Sequence, residues 1–470
     1  MPVQSTVTPP VATPTVQTSS RLITPTVQAN SRLEKPTAQG DNQLITPTES
    51  ISAQATTPAG ISSATAGPAE STSSTAVAVV SPIVTQQAAS ADELRQVATI
   101  EAQAAQLRGL TPKAKVTEAF ISHQQLHDNL VHDIARDYPR AQAQQDALEA
   151  WLLRLVDDPK IDLYQLQVDL LTEQVAGYYD PKAKDLFVLS GQSTLSPLSR
   201  MTLAHEYTHS LQDQYYDLTR LLPDKSTNPD RDSAVRSLVE GDASLSGFKY
   251  AANYFSQAEI QNMLKESGGA STTVLDRAPL YVREGLNFPY DEGVNFVNQL
   301  LKVDGFRAVD RAFASPPTST EQIIHPEKYI STPRDEPVPV TIPPLTSTLG
   351  TGWTLKDSGT SGEFDARVEL ETGKAPNAKD ASAGWGGGQY AFYLNGKDAV
   401  IVQSLAWDTT KDADEFDSAI RGTFSGMTAN GTDRWSNQGR YFSVTRKGNL
   451  VTFIGATTQD IMQKATAALK

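Results

Sequence analysis

Leu203-Ala204-His205-Glu206-Tyr207-Thr208-His209-Ser210-Leu211-Gln212-Asp213-Gln214 is the stretch around which the rest of the chain is read. Ser196 is a good helix N-cap, and Pro197 stands at the first helical position, where proline is favoured. The pattern predicts a helix running past His209 to about Tyr216. On it, His205 and His209 lie one turn apart on the same face, with roughly 5–6 Å between Cβ atoms. Two imidazoles so placed can both reach a Zn²⁺ ion at about 2.0–2.1 Å. Glu206, beside the first of them, is placed to take the proton of a water on that ion, as a general base.

Such a site needs a third protein ligand from elsewhere in the chain. It is best sought in Leu238-Val239-Glu240-Gly241-Asp242-Ala243. Glu240 ends an apolar run, where a carboxylate is unexpected unless paired or metal-bound. Gly241 beside it weakens the helix by about 1 kcal/mol and permits close approach of a second helix or a substrate. Asp242, Asp213 and Asp217 are rival ligands. Asp213, one turn after His209, and Asp242 are also candidates to support the ligands from behind.

His325, in Ile324-His325-Pro326, is a second candidate catalytic residue. A histidine before a proline on a loop can donate to the oxyanion of a tetrahedral intermediate, or can simply pack there. His123 and His127 share the four-residue spacing but lack the glutamate between them, which suits a solvated helix face better than a metal site. Tyr178 and Tyr179 read as core or strand-rim residues.

Outward from this centre the chain divides by composition. Residues 1–89 are rich in Thr, Ser, Pro, Ala and Gln, and the first aromatic residue is Phe120. Pro14, Pro25, Pro36 and Pro47 recur every 11 residues, each followed by Thr. Such a segment cannot bury enough apolar surface to offset its ordering entropy, so a disordered, partly polyproline stalk is expected. Residues 90–335 read as a mainly helical domain. A capping box opens it at Ser90, a helix follows Ser122, and others cover Ala147–Val156 and about Leu163–Ala176. Gly177–Asp185 reads as a strand end and a tight turn before the strand Leu186–Leu189, giving a small edge sheet. Asn228-Pro229 breaks the chain ahead of a helix over about Ser233–Tyr254, and further helices span Asp291–Val303 and Phe306–Ala314. The Pro- and Thr-rich residues 336–350 suggest a linker. Residues 351–470 read as a small α+β domain, with a hairpin across Asn395-Gly396, a helix over Asp412–Phe424 and a last helix from Thr458.

Bulk properties narrow the function. The net charge of -14 disfavours nucleic acid and anionic membrane surfaces. With no cysteine, disulfides, thiolate metal sites and cysteine nucleophiles are excluded, and any metal must be held by carboxylates and the six histidines. No apolar run approaches the roughly 20 residues that span a bilayer. No basic and apolar leader opens the chain, although the stalk suits an extracellular or cell-surface protein; a cytoplasmic place is the alternative. Oligomeric state is not legible.

The helix Leu203–Gln214, with Val239-Glu240-Gly241-Asp242, resembles the gluzincin branch of zinc metallopeptidases, and in particular a set of bacterial zincin-like proteins. Their Gly-Tyr-Tyr-Asp-Pro turn is similar to Gly177–Pro181, and another of their motifs to Ser319–Tyr329. The resemblance covers roughly residues 115–330 and, more weakly, Gly384–Gly387. It implies a zincin-like fold, zinc held by His205, His209 and Glu240, Glu206 as general base, and a peptide or protein substrate. One departure stands out: the acid that gluzincins carry four residues after the ligand glutamate is Ser244 here. Two other functions fit the same residues: a non-catalytic surface or adhesion protein on a zincin scaffold, and a zinc hydrolase of a non-peptide substrate.

Overall fold

Three serines start helices by the same device. Ser90, Ser122 and Ser196 each accept a hydrogen bond from the backbone N–H three residues on, and at Ser90 and Ser122 the third residue bonds back to close a capping box. These elements belong to a computed structural model that describes residues 89–174, 177–189, 194–224, 226–269 and 271–469. Residues 1–88 of the stalk expected over residues 1–89, and Val175 and Ala176 at the end of an expected helix, lie outside the described residues. The described part is α+β and mostly helical, with a three-stranded and a seven-stranded sheet.

The helices that carry or frame the site are α1 (Ala91–Arg108), α2 (His123–Asp137), α3 (Arg140–Leu152), α4 (Leu163–Gln174), α5 (Pro197–Tyr216), α6 (Pro229–Tyr254) and α7 (Leu280–Asp304). The small sheet joins β1 (Thr117–Ile121), β2 (Gly177–Asp180) and β3 (Asp185–Leu189) in the order β1-β3-β2. β1 runs parallel to β3, and β2 antiparallel. The turn between β2 and β3 is fixed by Asp180, whose carboxylate accepts the N–H groups of Lys182 at 2.7 Å and Ala183 at 3.1 Å. Leu186 and Val188 of β3 pack with Leu203, Ala204 and Leu211 of α5 and with Val97 and Ile100 of α1. That cluster seats α5 between a sheet and a helix, so every residue from Thr202 to Asp213 is buried.

Two proline expectations are corrected. Asn228-Pro229 starts α6 instead of breaking the chain: Asn228 accepts from the Arg231 N–H at 2.9 Å and Pro229 takes the first helical position, four residues before the expected start. Pro289 lies inside α7, which begins at Leu280 and not at Asp291. The ring removes one helical hydrogen bond, but Phe288, Pro289 and Tyr290 are buried, and tertiary packing carries the helix through the defect. α6 and α7 then cross backbone to backbone. A Cβ on Gly241 would collide with the Gly293 carbonyl, and one on Gly293 with the Ser237 carbonyl.

The large sheet is antiparallel throughout, in the order β4-β5-β6-β10-β9-β8-β7. Its strands are β4 (Thr354–Gly359), β5 (Trp385–Asn395), β6 (Asp398–Trp407), β7 (Thr428–Ala429), β8 (Arg434–Asn437), β9 (Arg440–Lys447) and β10 (Leu450–Ala456). Alternation along β6 sends Val400 and Val402 to one face, beside Ile461 and Met462 of the last helix. Ile401 and Leu405 face the other way, toward Trp385, Phe416 and the helix α8 (Glu363–Thr372). Residues 151–156 join that second face. Trp151 and Leu152 pack in it, Arg440 donates to the Trp151 carbonyl at 2.7 Å, and a Cβ on Gly455 would strike the Leu152 carbonyl. Residues 336–350 also pack on the sheet, through buried Ile342, Leu345 and Leu349.

Candidate metal centre

α5 presents His205 and His209 one turn apart, and α6 brings Glu240 opposite them. His205 Nε2 and His209 Nε2 are 3.0 Å apart, and each is 3.3 Å from Glu240 Oε2. All three side chains are buried. Two nitrogens and one carboxylate oxygen therefore converge on a single point, a group of atoms that suits one metal ion.

The surroundings fix how the imidazoles can be protonated. Gln212 Oε1 lies 2.8 Å from His209 Nδ1, while Gln212 Nε2 donates to Asp242 Oδ2 at 2.9 Å and to the Val239 carbonyl at 3.0 Å. Turning the amide over would set its oxygen against a carboxylate and a carbonyl, so Oε1 must face His209. An amide oxygen only accepts, so Nδ1 carries a proton, and in the neutral ring the Nε2 lone pair faces the cluster. Ser244 Oγ is 3.5 Å from His205 Nδ1, the outer limit of a hydrogen bond. These donors fit a zinc ion: two imidazole nitrogens, a carboxylate, and a hydrogen-bonded support behind His209.

Glu206 lies alongside. Its Oε2 accepts the backbone N–H of Tyr179 at 3.0 Å, which ties the acid to β2, the edge strand of the small sheet. Burial pushes its pKa up to about 8, Glu240 adding to the rise and His209 and the Tyr179 N–H opposing it. At Glu240 burial also raises the pKa, but the two histidines outweigh it and hold the acid well below its usual range. His209 is pulled down by burial, yet Glu240 and Glu206 lift it to about 9, whereas burial and His209 keep His205 below its ordinary value.

Both acids expected behind the ligands are buried close by, in different roles. Asp242 reaches His209 through Gln212 and is paired with Arg108 at 2.7 Å. Arg108 is fully buried and also donates to Asp310 at 2.8 Å. Asp213 makes no hydrogen bond to a histidine: it accepts from the Tyr179 hydroxyl at 2.7 Å, the Lys184 ammonium at 2.6 Å and the Leu218 N–H at 3.0 Å. It thus holds the strand residue whose N–H holds Glu206. Asp217, the other rival ligand, caps the short helix that follows α5.

His325 is not brought to this cluster. Its Nε2 meets Glu363 at 2.9 Å and its Nδ1 lies 3.7 Å from Glu327. His127 is half-exposed beside Asp128, and His123 is exposed. Sequence reasoning missed Gln212, Tyr179 and Arg108. The signal for Gln212 was available, since three residues after His209 is the same helix face. Arg108 is 134 residues from Asp242 and nothing local marks it.

Residues 352–466 match the family model described as Domain of unknown function (DUF8575), which takes in most of the large sheet and its helices. No curated protein sequence matches the chain. A crystal structure from Chloroflexus aurantiacus, described as a candidate hydrolase with a novel fold, overlaps 51% of this chain and 88% of its own at 16% identity and a TM-score of 0.34. That likeness is too distant to carry a fold or an activity over to this chain.

Proposed function

We propose that the protein is a zinc-dependent hydrolase that cleaves peptide bonds, built on a zincin-like arrangement of α5 and α6. The observation that carries the reading is the convergence of His205 Nε2, His209 Nε2 and Glu240 Oε2 within 3.0–3.3 Å of one another beside a buried glutamate. A zinc ion held by these three would supply the Lewis acid that makes a water nucleophilic near neutral pH.

The chain's own groups do the rest. Glu206 takes the proton of the attacking water and passes it to the leaving amine. The Tyr179 N–H holds the carboxylate in place, and Asp213 holds Tyr179. Gln212 keeps the His209 lone pair directed at the metal position. β2 supports a peptide as substrate, because among the described residues it ends its sheet beside Glu206, and an extended chain can lie along it. The test is zinc content by elemental analysis, together with turnover of casein before and after a chelator. Close to one zinc per chain and chelator-sensitive cleavage are expected. A chain free of transition metal after growth with zinc refutes the site, and zinc without cleavage across a broad peptide library refutes the activity.

A further inference from the structure

A second feature lies beside α6, ahead of Glu240. The first two turns of α6 border a cavity of about 300 Å³ shared with α3, α7, α8 and the large sheet. Five acids line it: Asp146 and Glu149 of α3, Asp230 of α6, and Asp365 and Glu369 of α8. Arg236 is the one basic residue among its lining. Neutral groups reach all five acids, Asp230 among them through Thr320. Gln142 donates to Asp146 at 2.7 Å, Gln145 to Glu149 at 3.2 Å, the Gly362 N–H to Asp365 at 2.9 Å and Gln403 to Glu369 at 2.5 Å.

Asp230 is the sharpest anomaly. It is only 4% exposed. Its Oδ1 accepts the N–H of Thr320 at 3.1 Å and the Thr320 hydroxyl at 2.5 Å, while its Oδ2, equally buried, has no donor among the described residues. Gly362 is held against the same carboxylate, where any Cβ would collide with Oδ1. A buried carboxylate oxygen without a donor at a cavity wall is costly unless something satisfies it. Leu155, Leu163, Leu166, Val282, Phe288 and Phe364 give the wall an apolar side, and hydroxyl and amide groups such as Tyr138, Gln167 and Ser361 share the lining.

We infer that this cavity binds an aliphatic amine carrying more than one positive charge, its ammonium groups on Asp230 and the acids of α3 and α8 and its methylene stem on the leucine and phenylalanine wall. A single metal ion fits less well, because among the described residues no three of these acids bring their oxygens within 4.8 Å of one another. Spread carboxylates joined by apolar surface match an alkyl chain with separated charges. Burial pushes Asp146 and Asp230 up to about 7 and Glu369 up to about 8, so the empty cavity holds protons near neutral pH that an incoming cation displaces. The same chemistry can come from a free oligoamine or from the basic side chains of a peptide.

The test is isothermal titration calorimetry on the full chain at pH 7, with spermidine and with acetylated tetralysine, repeated in two buffers of different ionisation enthalpy. Saturable binding with release of protons is expected. Spermidine binding alone identifies a free amine, tetralysine binding alone identifies peptide side chains, and binding of both supports the shared chemistry. Asp230→Asn weakens the binding roughly 10–100-fold, the effect of one lost charge-assisted bond. Should that variant fail to fold, Glu369→Gln, checked by its melting temperature, serves in its place with the same expected direction. No saturation by either amine, saturation by calcium alone, or unchanged binding in a folded variant overturns the inference.

Discussion

Gln212 Oε1 stands 2.8 Å from His209 Nδ1, and this contact supplies the support that Ser244, at 3.5 Å from His205, gives only weakly. We expect Gln212→Ala to lower zinc affinity about 10–100-fold, the usual cost of losing a hydrogen bond behind a metal-bound histidine. Competition against a chromogenic chelator measures it. An affinity equal to that of the parent shows that His209 is oriented by packing alone.

Glu206→Gln keeps the size of the side chain and its ability to accept from Tyr179. Zinc content and melting temperature are expected to stay near those of the parent, because the three ligands are untouched. Peptide turnover falls about 10²–10⁴-fold with loss of the general base. Occupancy and rate are measured on one preparation, and full occupancy with undiminished turnover removes Glu206 from the mechanism.

Gly241, next in sequence to Glu240, lets α6 approach α7 until the two backbones touch. Gly241→Ala places a Cβ against the Gly293 carbonyl, and neither backbone can give way without moving its helix. A loss of about 3 kcal/mol of unfolding free energy is expected, at the upper end for overpacking. Zinc affinity falls with it, since the third ligand moves. Urea unfolding of the apo form that matches the parent argues that the crossing relaxes freely.

Glu369 gives stability a pH dependence of known sign. Burial, assisted by Asp365 and opposed by Gln403 and Arg154, raises its pKa from 4.5 to about 8. Between those values the folded chain holds a proton that the unfolded chain has released, so this group makes stability fall as pH rises from about 4.5 to 8. In amine-free buffer, Glu369→Gln removes that term, and its melting temperature falls less than the parent's between pH 5 and pH 8. Parallel curves for the two proteins contradict a raised pKa at this position.

Local information determined much of the scaffold by itself. Capping serines at 90, 122 and 196, the His205–His209 spacing, the Asp180 turn and the alternation in β6 act within one or two turns of chain, where backbone geometry leaves few choices. The sequence also singled out Glu240, through a carboxylate and a glycine in an apolar run. What it lacked was every relationship set by packing between distant segments. It started a helix only after Pro289, at Asp291, because a proline's local penalty is legible and the burial that outweighs it is not. It placed Asp213 behind the histidines, but Tyr179 of β2 and Lys184 of the turn after it take the carboxylate away. It offered His325 as a catalytic donor, and the fold pairs it with Glu363 of α8. Glu240 meets the two histidines because α6 packs across α5, and Asp242 is paired beside them because Arg108 arrives from α1. Such contacts depend on where whole elements come to rest, and only the tertiary structure decides that.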